Sequence, residues 1–193
     1  LRLTPKSTQG QEIISWDMTF TNAVKQLEYE DQHRNVTTLI ALEPGAEEVT
    51  VTCSGTVDTH DHAGVIGRHS GHLPLWSFRS QTPLTRPGAG MRAIARERRK
   101  EGGAPLDMLH ALSARIRATV AYQTGVTGVT TSAEEAWSIG QGVCQDHAHI
   151  FIGIVRALDI PARYVSGYLM MNDRIDQEAT HAWAEAHVEH LGW

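Results

Sequence analysis

The sequence predicts an α+β protein, with an antiparallel, β-sandwich-like N-terminal domain over residues 1–82 and a core of helices and strands over residues 83–193. Three observations lead there. Apolar residues recur at a period of two through about the first 60 residues, at helical spacing after Pro105, and at a period of two again after the last helix. The length of 193 residues allows one large or two small domains, and the change of period favours two.

In the first segment, Gln11 to Phe20, the residues Ile14, Trp16, Met18 and Phe20 alternate with Ser15, Asp17 and Thr19, as in a half-buried strand. Val24–Glu30, Val36–Leu42 and Val49–Val57 repeat that pattern between turns containing Asp, Asn, Gly or Pro. In the last run Val49, Val51, Cys53 and Val57 share a face, which makes Cys53 a packed core thiol. Residues 58–105 read as a connector, rich in histidine (His60, His62, His69, His72), proline and glycine. Within it Met91–Glu101 is a short helix whose Arg96, Arg98, Arg99 and Lys100 form a solvated face. Beyond it, Leu106, Leu109, Leu112, Ile116 and Val120 recur at helical spacing behind Pro105, a favoured first-turn residue. Ser132 and Glu135 have the spacing of a capping box and open the next helix. In residues 144–158, Ala148, Phe151, Ile152, Val155 and Leu158 make one apolar stripe that Pro161 ends. Arg163–Leu169 and Thr180–Val188 then read as strands.

Composition narrows the function. With 41% hydrophobic and 20% charged residues the chain is an ordinary globular protein. Its formal charge of −5 offers no long-range attraction to phosphate backbones, which argues against a nucleic-acid partner. The sequence has no apolar run of the ~18 residues a membrane span needs, so no membrane partner is expected. Two cysteines, Cys53 and Cys144, are too few for a disulfide framework and point to a reduced, cytoplasmic setting. Leu1 in place of a Met, and the closing strand-like Leu191-Gly192-Trp193, read as the ends of an excised fragment.

The segment that carries chemistry is Gly140-Gln141-Gly142-Val143-Cys144-Gln145-Asp146-His147-Ala148. Its glycines permit a tight turn and Cys144 falls in the first turn of the strongest helix. A helix N-terminus carries roughly half a positive charge and free N–H groups, which favour a thiolate and can donate to a developing oxyanion. A core thiol at a helix start fits the pattern equally well. A base is available in Thr180-His181-Ala182-Trp183-Ala184-Glu185-Ala186, where alternation puts His181, Trp183 and Glu185 on one face and the alanines on the other.

Gly142-Val143-Cys144, the block Arg156-Ala157-Leu158-Asp159-Ile160-Pro161-Ala162-Arg163-Tyr164-Val165-Ser166-Gly167-Tyr168 and Thr180-His181-Ala182-Trp183 together closely resemble the bacterial transglutaminase-like family, of the papain-like thiol superfamily. Leu1-Arg2-Leu3-Thr4-Pro5 and Pro83-Leu84-Thr85-Arg86-Pro87 are similar to its N-terminal β-rich domain and connector, so the resemblance spans nearly the whole chain. It implies a Cys–His–Asp enzyme with Cys144 as nucleophile and His181 as general base and acid, acting on a protein or peptide amide with an amine or water as acceptor. No cofactor or metal is called for. The family's aspartate follows a Gly-Trp pair resembling Gly192-Trp193, so it falls after the last residue, which implies a truncated core of low activity. Glu185 is four strand positions from His181, roughly 13 Å, too far to orient the ring, and Asp173 and Asp176 qualify only if their loop folds back. Beside the Cys144 N–H, the candidates for a second oxyanion donor or a cleft residue are Tyr122, Gln141, Trp137 and Trp183, each equally suited to packing. Two rival readings are a catalytically inactive interaction module and a His-rich metal-binding protein. The histidine spacing matches no strong zinc pattern, and His147 and His149 read as apolar-bordering and solvated residues respectively.

Overall fold

The period-two segments form strands in the structure, a computed structural model that describes residues 1–171 and 180–193. Contacts divide the chain into two compact units, residues 1–73 with Gly192, and residues 74–191 with Trp193.

In the first unit β1 (Gln11–Thr21) pairs antiparallel with β4 (Thr50–Thr59), and β2 (Ala23–Glu30) pairs antiparallel with β3 (Val36–Leu42). Side-chain alternation follows the sequence pattern in β4 and, from Trp16 onward, in β1; a bulge between Ile13 and Ser15 takes Ile14 off the expected apolar face and leaves it exposed, and β2 is exposed from Val24 to Glu30. Val51, Cys53 and Val57 are half-buried while Thr52 and Ser54 are exposed, and Cys53 lies opposite Met18. Trp16 crosses Gly55, where a Cβ would sit 2.6 Å from its ring, so the cross-strand position admits only glycine. The described strands form two separate two-stranded ladders, and Ala23 is the only fully buried apolar side chain among the described residues of this unit.

The second unit is built around one helix. A 3₁₀ turn (Leu75–Arg79) leads to α1 (Ala89–Glu101), α2 (Pro105–Thr119), the two-residue strand β5 (Ala121–Tyr122), α3 (Ala133–Ile139), the two-residue strand β6 (Gln141–Gly142) and α4 (Cys144–Ala157). The antiparallel pair β7 (Ala162–Gly167) and β8 (His181–Ala186) completes it. Pro105 occupies the first turn of α2, and Ser132 and Glu135 form the full capping box of α3. The N-terminus of α1 has no side-chain cap of its own. Glu134 from α3 serves it instead, accepting from the N–H groups of Gly88 (2.8 Å), Gly90 (2.9 Å) and Met91 (3.3 Å).

The apolar stripe expected on α4 is not a stripe. Ala148, Ile150, Ile152, Gly153, Ile154 and Val155 are all buried, whereas Phe151 and Leu158 are only partly so. The cause is packing on most sides: α1, α2 and α3 cover α4 from one direction and β7 and β8 from another. Its partners in the core are Met91, Ile94, Leu109, Leu112, Ile116 and the small Ala133, Ala136 and Ala162. The alanines of β8 allow that sheet to lie close, with Ala182 7% exposed and Ala184 and Ala186 against the core. The β5–β6 pairing, parallel and only two residues long, is too short to leave a periodic signal. Leu191 lies in a turn, and Trp193 is buried edge-on against Phe78, ring centroids 5.2 Å apart.

At Gly153 a Cβ would collide with the carbonyl oxygen of Thr85 and come within 2.7 Å of the Met91 methyl. Gly153→Ala is therefore expected to lose about 1–3 kcal/mol by overpacking, although alanine is the better helix former. Chemical denaturation checks it, and an unchanged or raised midpoint would contradict the packing described.

Candidate active site

Cys144 is the first residue of α4 and is half-buried. Val143 occupies the N-cap but has no side-chain acceptor, so the helix start relies on the reciprocal half of a capping box. Asp146 supplies that half. Its Oδ2 accepts from the Val143 N–H at 2.7 Å and from the Thr127 hydroxyl at 2.6 Å, and the residue is 0% exposed. Gly142 makes room for it, since a Cβ there would be 2.7 Å from the carboxylate.

The neighbouring side chains of this first turn are also engaged. The Gln145 amide donates to Gly128 O at 2.8 Å. The ring nitrogens of His147 lie 2.9 Å from Val143 O and 3.0 Å from Val120 O, so in either tautomer the ring donates to one of these carbonyls. The backbone adds two ties, Ala121 N–H to Gly140 O (2.8 Å) and Gln123 N–H to Gly142 O (2.9 Å). Residues 120–128 thus hold the start of α4 through Gln145, Asp146 and His147. Cys144 makes no hydrogen bond among the described residues.

The β7–β8 pair brings His181 to the same end of α4. Arg156, near the C-terminus of α4, donates to Ala162 O at the start of β7 (Nε 3.1 Å, Nη2 2.8 Å), so β7 runs back along the helix. Farther along, Tyr164 packs on the His149 ring, centroids 5.1 Å apart. From Tyr164 to Gly167 the strand advances roughly 10 Å, and from His149 to Cys144 the helix spans roughly 7.5 Å. Gly167 and its register partner His181 therefore lie toward the Cys144 end of α4. His181 is on the face opposite the alanines, and it reaches that end as the first residue of β8. Its ring meets Trp183 edge-on at 4.7 Å.

The remaining candidates separate. Tyr122 is 64% exposed, pairs in register with Gly142 and stacks on His147 with centroids 6.3 Å apart. Gln141 is exposed on β6. Trp137 lies against α1, where a Cβ on Gly90 would be 2.7 Å from its Nε1, and its contacts are with the core. Trp183 faces Val165 across the ladder. Glu185 is taken by Arg163 at 2.6 Å, whose guanidinium also stacks 4.2 Å over Trp193. Asp173 and Asp176 lie outside the described residues.

Asp146, His149 and Tyr164 were not anticipated as site residues. His149, expected on the solvated side, is half-buried, because β7 covers that side of α4. Burial depresses its pKa, the Asp146 charge opposes that and Arg156 adds to it. Tyr164 has its pKa raised, first by burial and then by Cys144 and Asp146, so it keeps its proton and can donate. A Cys-x-Asp spacing at a helix start was the available signal for Asp146, since an acidic residue in a first turn caps. Of the connector histidines, His69 bonds Leu73 O at 2.6 Å and His72 lies 3.3 Å from Glu30. The described residues contain no group of three His, Cys, Asp or Glu placed to hold a metal ion.

Comparison with known proteins gives a consistent picture. The profile of the transglutaminase-like superfamily matches residues 92–193, and that of the bacterial transglutaminase-like N-terminal region matches residues 1–58. An uncharacterized protein of Mycobacterium leprae is 30% identical over 205 residues, covering 96% of this chain and 71% of the relative. Among solved structures, a candidate cysteine protease from Cytophaga hutchinsonii superposes with a TM-score of 0.68 at 24% identity, over 97% of this chain and 66% of that one. The periplasmic domain of TgpA from Pseudomonas aeruginosa, bound to ethylmercury, does so at 0.53 and 20%, over 97% and 66%. The chain spans just under two thirds of each of these two solved chains, and at these identities the likeness is one of fold.

Two outcomes follow from the buried groups. Asp146→Ala leaves the Val143 N–H and the Thr127 hydroxyl without their acceptor and is expected to cost about 1–3 kcal/mol for each donor that stays buried, read by denaturant unfolding. Neutral behaviour would refute the clamp. For His149 the folded pKa is below the unfolded value, so the unfolded chain binds the extra proton and stability falls as pH drops below about 6.5. His149→Phe should flatten that part of the stability–pH curve relative to the parent, and identical slopes would refute the burial argument.

Proposed function

The chain belongs to the transglutaminase-like superfamily, and from that premise we propose that it is a thiol enzyme performing acyl transfer or hydrolysis on amides of glutamine side chains or peptide bonds. The observation that carries the reading is the start of α4, where Gln145, Asp146 and His147 are committed to residues 120–128 while no described residue hydrogen-bonds the Cys144 thiol. In this reading His181, toward the Cys144 end of α4, takes the thiol proton. The thiolate attacks the amide carbon, and the Cys144 N–H holds the developing oxyanion with a second donor, for which Tyr122 and Gln141 stay candidates. Tyr164, whose phenol keeps its proton and whose ring packs on His149 about one and a half turns along α4, joins them. His181 then gives its proton to the leaving ammonia or amine, and an amine or water releases the thioester. A Cys–His–Asp triad is part of the proposal, with the acid not assigned to any residue described here, since Glu185 is held by Arg163. The proposal further takes the N-terminal ladders as a β-sandwich-like domain, the substrate as a protein or peptide, and the setting as reduced and cytoplasmic, the last on the two free cysteines.

The test is mass spectrometry of a glutamine-containing peptide incubated with the protein, with and without a primary amine. Replacement of ammonia by the amine marks transamidation, conversion to glutamate marks deamidation, and two fragments mark cleavage. Cys144→Ala is expected to lower any of these at least a thousandfold, the scale set by removing a member of a catalytic triad. Turnover that survives Cys144→Ala would overturn the proposal.

A further inference from the structure

The segment between Arg117 and Glu134 contains no charged residue, and its sequence from Val120 to Ser132 is Val-Ala-Tyr-Gln-Thr-Gly-Val-Thr-Gly-Val-Thr-Thr-Ser. It carries three exposed apolar side chains, Tyr122 at 64%, Val126 at 40% and Val129 at 81%. Their positions are not loose. Thr127 and Gly128, which separate Val126 from Val129, are the residues hydrogen-bonded to Asp146 and Gln145. Gly128 and Thr131 close the loop on itself through Gly128 N–H to Thr131 Oγ1 (2.9 Å) and Thr131 N–H to Gly128 O (3.0 Å). Tyr122 is fixed at the other end by its register with Gly142, two residues before Cys144, and by stacking on His147.

A charge-free segment with three exposed apolar side chains is therefore bound to the turn that carries Cys144. A charged substrate side chain against it would lose hydration without gaining a partner from this segment, whereas an apolar one would cover Tyr122, Val126 and Val129. We propose that residues 122–129 form the specificity wall of the Cys144 site and select amide substrates whose residues flanking the reactive amide are apolar. The inference rests on the reading of Cys144 as nucleophile.

The experiment uses three tripeptides in which the central glutamine is replaced by its diazomethyl-ketone analogue, flanked by leucines, by glutamates or by lysines. Such a ketone alkylates a thiol with loss of dinitrogen, so modification of Cys144 is read by intact mass and peptide mapping without turnover. The parent is expected to react at Cys144 at least tenfold faster with the leucine-flanked probe than with either charged one. In Val129→Lys, and in Val126→Lys as a second variant, the advantage over the glutamate-flanked probe should shrink at least threefold while that over the lysine-flanked probe persists. That sign difference is one an unfolded chain does not produce. Equal rates with all three probes on the parent, or ratios unchanged in both variants, would overturn the wall alone. No modification of Cys144 by any probe would overturn the nucleophile reading and the wall with it.

Discussion

A carboxylate without access to solvent holds the site together. A buried carboxylate needs donors, and Asp146 has two on its Oδ2, the Val143 N–H and the Thr127 hydroxyl, while its Oδ1 is buried without a hydrogen-bond partner among the described residues. Those two bonds do different work. The first closes the turn ahead of Cys144, in the position that a Ser or Asp N-cap would otherwise fill. The second fastens that turn to a loop that is distant in sequence. The glycine at 142 is a consequence of the same contact, because the space of its missing side chain holds the carboxylate.

The rest of the second unit can be understood as support for that turn. α4 is buried among α1, α2 and α3 on one side and β7 and β8 on the other, so its axis has little freedom. The small residues Ala162, Ala182, Ala184 and Ala186 let the strands approach it closely, and β7 runs back along the helix so that the Gly167–His181 end of the ladder lies toward the helix start. Arg156 bonds Ala162 O and Ser80 O, locking the opposite end of α4 to β7 and to the 3₁₀ turn. A helix fixed at both ends gives its N-terminal N–H groups a fixed direction, and electrostatic stabilisation of a thiolate or oxyanion depends on such preorganisation.

Much of this was legible in the residues, and the parts that were not share a cause. Strands β1 and β4 could be read because one face of each is wetter than the other, as Cys53 and Thr52 show, whereas β2 and β3 were read from residue type and turns and bury no alternating face. The caps of α2 and α3 are local and so were visible in Pro105 and the Ser132–Glu135 pair. Cys144 and His181 stood out by residue type and context. What escaped was anything settled by a second, distant segment: the capping of α1 by Glu134, the burial of His149 under Tyr164, the commitment of Glu185 to Arg163, and above all the role of Asp146. Trp137 shows the same limit from the other side. Its proximity in sequence to Cys144 suggested a cleft, but the helix turns its ring toward Gly90.

The account stands on one claim, that the tethered first turn of α4 leaves Cys144 presented and activated while Cys53 is an ordinary half-buried strand residue. Brief exposure of the native protein to iodoacetamide near neutral pH, followed by peptide mapping of both cysteines, tests it most directly. The account predicts that Cys144 is carbamidomethylated at least tenfold faster than Cys53 and that denaturation abolishes the difference. Equal, slow modification of the two thiols in the native protein would contradict it.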